Sequence, residues 1–286
     1  MLEDRRLTIS TLLRRFLRPL GLTWVLTLGE TALMALIPLL IGFAIDGLIG
    51  GDTIALAQLA AVLAALIAIG VARRLYDTRV FGTMRVEICK ALAARSQGGS
   101  VSTLNARFGM GRELVDFLEQ EVPAVMTSSV QLIASLAVLF AFHPVLAGSA
   151  FAAAVASVVL YGVFHRRFYR LNADNNQQTE QQVSILEAGA RDGILAHLTT
   201  LRRIEIRLSD TEAFVYGAIF TVLLGFIVFN LWFAGTTLET TVGMIFSIIT
   251  YSWEFVDAAL VMPVTLQGWS RLSEIMNRIN DTAASA

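Results

Sequence analysis

Lysine is all but missing from this 286-residue chain: Lys90 is the only one, and Cys89 rather than a glycine precedes it. A phosphate-binding P-loop needs Gly-x-x-x-x-Gly-Lys-Ser/Thr, glycines so that backbone N–H groups reach the phosphates and a lysine to hold the terminal ones. No such segment occurs in the sequence. A single cysteine excludes an intrachain disulfide. The three histidines, His143, His165 and His197, lie far apart and offer no metal-ligand spacing. No catalytic constellation, cofactor site or metal site is expected, so the chain does not read as an enzyme. Charge is scarce as well. Asp, Glu, Lys and Arg make up 16% of the residues, against about 25% in soluble domains.

Apolar residues take the place of the missing charge, at 55% of the chain. Ile54–Ala72, Val122–Phe142, Pro144–Phe164 and Ala213–Leu238 contain no Asp, Glu, Lys or Arg. A bilayer core of roughly 30 Å needs roughly 20 such residues in a helix. Two more spans are long enough to cross but carry acids. Leu20–Ile49 holds Glu30 and, near its end, Asp46, and Thr240–Ser270 holds Glu254 and Asp257. The expected fold is therefore all-α integral membrane, with six transmembrane helices. Six such runs would need too large a core for a soluble domain of this length. Leu20–Ile49 is also much longer than a signal-peptide apolar region of about 7–15 residues.

The basic residues are segregated. Arg5, Arg6, Arg14, Arg15 and Arg18 precede the first span. A second set runs from Arg73 to Arg112 and a third from Arg166 to Arg207, while Arg271 and Arg278 follow the sixth span. The connections Gly50–Thr53, around His143-Pro144, and Gly235–Glu239 have none. The positive-inside rule then puts both termini and the long connections in the cytoplasm, as expected of a multi-pass protein of the plasma (inner) membrane. Topology accounts for the arginines, so no nucleic-acid partner is expected.

The organisation follows from periodicity. Ile9, Leu12, Leu13, Phe16, Leu17 and Leu20 recur at helical spacing with arginines between them. Residues 1–19 thus read as an amphipathic N-terminal elbow helix on the inner leaflet. Residues 20–280 read as one six-helix domain, and 281–286 as a flexible tail. After Ala72 the sequence continues without proline, Met84, Ile88 and Leu92 share a helical face, and Gly98-Gly99 is the first stop. A helix from Ile54 to Gln97 would be about 65 Å long, half of it outside the hydrocarbon. The return limb is expected to restart near Arg112, with Leu114, Phe117 and Leu118 on one side. In the second half a helix from Pro144 is expected to run on through Asn172–Gln178, since no Gly or Pro interrupts it before Gly189.

Several stretches carry a resemblance to the transmembrane domain of ABC exporters, over nearly the whole chain. Ile37-Pro38-Leu39-Leu40-Ile41-Gly42-Phe43-Ala44-Ile45-Asp46-Gly47 is similar to the family's Pro…Gly…Asp pattern at the end of the first span. Arg73–Arg95 resembles its long basic inner extension. Gly111-Arg112-Glu113-Leu114, within Ser102–Val125, resembles its Gly-Glu-Leu stretch after the first coupling helix. Glu187–Arg207 is similar to the second coupling region, and Gln267–Ile279 to the end of its sixth helix. The resemblance implies long cytoplasmic extensions and a domain-swapped homodimer around a central cavity. It also implies short coupling helices near Ser102–Met110 and Ala188–Ala196, with Asn105 and Asp192 as the residues through which an ATPase would act. The family's ATPase domain is not recognised in these 286 residues.

An acid inside a membrane helix is costly unless paired or hydrated, and is a functional candidate by default. Glu30 lies about 24 Å below Asp46, and Glu254 about 20 Å below Thr241. Glu254 and Asp257 are three residues apart and share a face. If the first and sixth spans are neighbours, as the resemblance implies, Glu30, Glu254 and Asp257 form one cluster, with no Lys or Arg in the spans to neutralise it. Such a cluster would bind protons, a cation or a cationic substrate. Tyr251 and Phe255 are candidate lining residues, and Pro38 and Pro263 candidate gating kinks. The expected function is transport of a small amphipathic, peptide-like or cationic substrate, coupled to protons through the buried carboxylates. This arrangement is architecturally similar to the SbmA/BacA-type peptide transporters, which lack an ATPase. One alternative is the membrane subunit of a split ABC exporter with a separate ATPase subunit. Another is a non-transport receptor or regulatory partner.

Overall fold

The computed structural model describes residues 9–95 and 101–261. The calls on Gly98-Gly99, Pro263, Gln267–Ile279 and the 281–286 tail lie outside them. Among the described residues every element is helical: α1 Ile9–Ile49, α2 Ile54–Arg95, α3 Val101–Asp116, a π-helical turn Phe117–Glu121, α4 Val122–Phe142, α5 Pro144–Glu180, α6 Gln182–Ala188, α7 Arg191–Thr237 and α8 Val242–Val261. Six helices are long and apolar enough to cross a membrane.

The first unit holds α1 to α4 and α8. The turn between α1 and α2 uses Gly51 at φ +82°, a left-handed conformation that glycine adopts without strain. Asp52 then accepts from the Ile54 N–H at 2.9 Å, satisfying one orphan donor at the start of α2. With no helix breaker after Ala72, α2 runs on to Arg95, as the periodicity anticipates. Its polar half packs against α3 through Phe81, Met84, Ile88 and Leu92, facing Leu114, Val115 and Leu118, with Leu20 of α1 sealing the cluster. The helices cross at Gly111, where a Cβ would lie 2.9 Å from both Ile88 and Leu92 side-chain carbons.

Three local features stand out. Non-helical angles in α1 fall at Phe16, within the stretch read as the elbow helix. The first coupling segment is not a separate helix, since α3 is continuous from Val101 through Met110 to Asp116. The π turn follows it because Pro123 has no N–H to offer the Glu119 carbonyl. The backbone widens, and Val122 N–H bonds to the Phe117 carbonyl five residues back.

The second unit, residues 143–233, pairs α5 with α6 and most of α7. His143 caps α5, its Nδ1 accepting from Val145 N–H at 3.2 Å with Pro144 at the first helical position. Leu146, Ala150 and Ala153 on α5, and Val215, Ile219, Leu223 and Phe226 on α7, are buried at three- and four-residue spacing. Ser149 Oγ meets Asn230 Oδ1 at 2.7 Å, and Asn230 is fully buried. Phe151, Val158, Val163, Phe214 and Val228 are exposed, the apolar outer surface that lipid requires. The long helix from Pro144 stops at Glu180, with a turn at Gln181 before α6. Gly189, at φ +64°, closes α6. The second coupling segment therefore straddles a break and the first turn of α7.

Candidate functional site

The first and last helices of the first unit are joined at intervals along their length. At one end the Asp46 carboxylate accepts from Thr241 Oγ1 at 2.5 Å and from the Gly243 N–H at 2.8 Å. It thereby satisfies a first-turn N–H of α8 and sets a negative charge at the positive end of the helix dipole. Backbone touches backbone at the Gly42–Gly243 crossing: a Cβ on Gly243 would collide with the Gly42 carbonyl, and one on Gly42 would sit 2.5 Å from the Gly243 oxygen. One turn deeper Ser247 Oγ donates to the Pro38 carbonyl at 3.0 Å. Tyr251 Oη then donates to the Ala35 carbonyl at 2.6 Å. Proline at 38 leaves the Met34 carbonyl without its helical donor, and the two α8 hydroxyls bind the neighbouring Ala35 and Pro38 carbonyls.

This antiparallel register brings the next turn of α8, Glu254 to Asp257, level with α1 near Thr31. Tyr251 and Phe255, the candidate lining residues, are 0% and 1% exposed and belong to the packing between helices. Glu254 is half-buried, and its Oε2 is buried with no hydrogen-bond partner. Asp257 is exposed and close enough for its charge to act on Glu254. Among the described residues no Lys or Arg pairs with either acid.

Glu30 behaves differently, and here the sequence expectation fails. Its carboxylate forms an ion pair with Arg73 of α2, so a base does neutralise one of the three acids. The carboxylate lies over Gly70, whose missing side chain leaves room: a Cβ there would be 3.3 Å from Glu30 Oε1. Arg73 is the first residue after the apolar run of α2, and its long stem folds back along that run to reach the acid. No hydrogen bond or ion pair among the described residues joins Glu30 to Glu254 or Asp257. Glu30 is thus ion-paired between α1 and α2, while Glu254 and Asp257 lie one turn apart on α8.

Two polar groups escaped the sequence reading. Arg85 is held by Asp116 at 2.6 Å and by Glu119, clasping α2 to α3 and the π turn. In the second unit His197, 4% exposed, meets Gln178 through its Nδ1 at 2.6 Å. Both join residues distant in sequence, so no spacing motif announces them. The coupling candidates Asn105 and Asp192 are exposed on α3 and on the first turn of α7.

A continuous helical chain with six membrane-length helices, a glycine crossing of the first and last, and a carboxylate closing it now stands beside a comparison with known families. The family described as ABC transporter transmembrane region matches residues 9–243. The chain belongs to that family. It is accordingly a multi-pass membrane protein with the transmembrane architecture of ABC transporters. No curated protein matches it significantly.

Proposed function

We propose that this membrane transporter is a proton-coupled homodimer of the plasma (inner) membrane, with both termini cytoplasmic. Its substrate is a small amphipathic molecule, peptide-like or cationic. The observation that supports this reading is the Glu254–Asp257 pair: two acids one turn apart, one carboxylate oxygen buried without a partner, and no base reaching either among the described residues. Intramembrane acids are retained where they bind protons or cations. A proton and a cationic group compete for the same carboxylates, so loss of one accompanies binding of the other. Above this pair α8 is fastened to α1 through Asp46, Ser247 and Tyr251. Motion coupled to the acids then moves α1 and α8 as one body.

Family membership supports a second reading, in which a separate ATPase polypeptide drives transport through the exposed segments around Asn105 and Asp192. Reconstitution separates the two. Under the first reading, purified protein in liposomes moves a fluorescent lipophilic cation when a pH gradient is imposed, with no ATP and no second protein. Transport that starts only after an ATPase subunit and ATP are added would overturn it in favour of the second.

A further inference from the structure

The acids between α1 and α2 have partners: Arg73 holds Glu30 and lies 3.6 Å from Asp77, which is 7% exposed and also receives the Thr23 hydroxyl. The acids of α8 have none, so what stands beside them decides what they receive. At about 100° per residue, Val242, Phe246, Trp253, Asp257 and Val261 fall on one face of α8, and all five are exposed. Glu254 stands at the border of that face, half-buried. Tyr251 and Phe255 lie on the opposite side, fully buried. An ionised carboxylate does not face hydrocarbon. The face that carries Asp257 therefore looks onto water or a passing solute. Trp253, one turn away on that face and 50% exposed, looks the same way. It takes the lining place that the sequence assigned to Tyr251 and Phe255.

Hydrogen-bond donors on α8 are engaged within the protein. Ser247 and Tyr251 donate to the Pro38 and Ala35 carbonyls. Thr250 donates to the Phe246 carbonyl at 2.9 Å and Ser252 to the Ile248 carbonyl at 2.8 Å. Between Val242 and Val261 there is no Lys, Arg or His. On this face a solute's carboxylate or phosphate would meet two acids and no donor except the Trp253 indole N–H. A positive charge would meet two carboxylates and the face of an indole, the ring that attracts cations best. An apolar body attached to that charge would find Phe246 and Val261 along the same stripe.

We propose that Trp253 is a specificity-determining residue of the α8 site. It selects cations that have an apolar body and no anionic group, such as quaternary ammonium and phosphonium compounds, over amino acids and peptides with a free carboxylate. This rests on the transport reading of the α8 acids and narrows its substrate class. Glu254 and Asp257 attract positive charge of any kind. The indole discriminates, because an alkylated or arylated cation is weakly hydrated and gives up little water to lie on the ring, whereas a compact ammonium is strongly hydrated.

Equilibrium binding of radiolabelled tetraphenylphosphonium to the full chain in nanodiscs tests this with neither a gradient nor ATP. The wild type should bind it, and phenylalanine, a zwitterion with an aromatic body, should not displace it. Trp253→Leu keeps apolar bulk but removes the ring, and should weaken binding about tenfold. Trp253→Tyr restores a ring and should recover most of the affinity. No binding by the wild type, equal affinity in Trp253→Leu, no recovery in Trp253→Tyr, or displacement by phenylalanine overturns the proposal. Failure of the transport reading looks different. Gradient-driven uptake that depends on Glu254 but not on Trp253 removes this inference and leaves the coupling. Trp253-dependent binding without gradient-driven uptake does the reverse.

Discussion

Replacing Arg73 with glutamine strips the base from two carboxylates at once, and its effect can be sized from the geometry. Removing one partner of a fully buried ion pair costs about 3–5 kcal/mol, because the other charge is left without compensation. Pairs at an open surface are worth about 0–1 kcal/mol. The Arg73 and Glu30 side chains are 30% and 18% exposed, between those limits, so about 2 kcal/mol is expected after solvent screening. At about 2–4 °C per kcal/mol for a chain of this size, Tm should fall by about 4–8 °C in a detergent thermal-unfolding assay. Glu30→Gln alone should cost less, about 1 kcal/mol, because Arg73 keeps Asp77. The double variant should recover part of the Arg73→Gln loss, giving a coupling energy of about 1 kcal/mol or more. Strict additivity of the two single effects would refute the pairing. It would return Glu30 to the set of uncompensated membrane acids.

Two further substitutions probe the joint between α1 and α8. Gly243→Ala drives a Cβ into the Gly42 carbonyl and should destabilise by about 1–3 kcal/mol; a Tm equal to wild type would contradict the crossing. Tyr251→Phe removes only the bond to the Ala35 carbonyl and should cost about 1–2 kcal/mol, read from the same unfolding curves, with no loss meaning that the hydroxyl is not engaged.

Much of the architecture was legible because membrane helices are announced by missing charge. The runs Ile54–Ala72, Val122–Phe142 and Pro144–Phe164 fall inside α2, α4 and α5. The polar extension of α2 was legible for a different reason: Met84, Ile88 and Leu92 repeat on one face, and that face is buried against Leu114 and Leu118. The π turn and the break at Gln181 were not. A proline two residues beyond a helical turn admits several local solutions, and Gln181 is neither Gly nor Pro. The site divides along the same line. Glu254 and Asp257 could be paired by helical spacing alone. The partner of Glu30 could not, because 43 residues separate it from Arg73 and the reach of a flexible arginine stem leaves no periodic trace. Asp77 sits just past the apolar run, where an acid reads as solvated. Only the packing of α1 shows it to be buried.

The central claim is that the α8 acids couple protons to transport. Uptake of a fluorescent lipophilic cation into proteoliposomes under an imposed pH gradient, comparing wild type with Glu254→Gln, tests it most directly. The amide mimics a permanently protonated acid and preserves its shape. Wild-type protein should transport, and Glu254→Gln should lose gradient-driven transport while remaining folded by its unfolding curve. Equal gradient-driven rates in the two proteins would contradict the account.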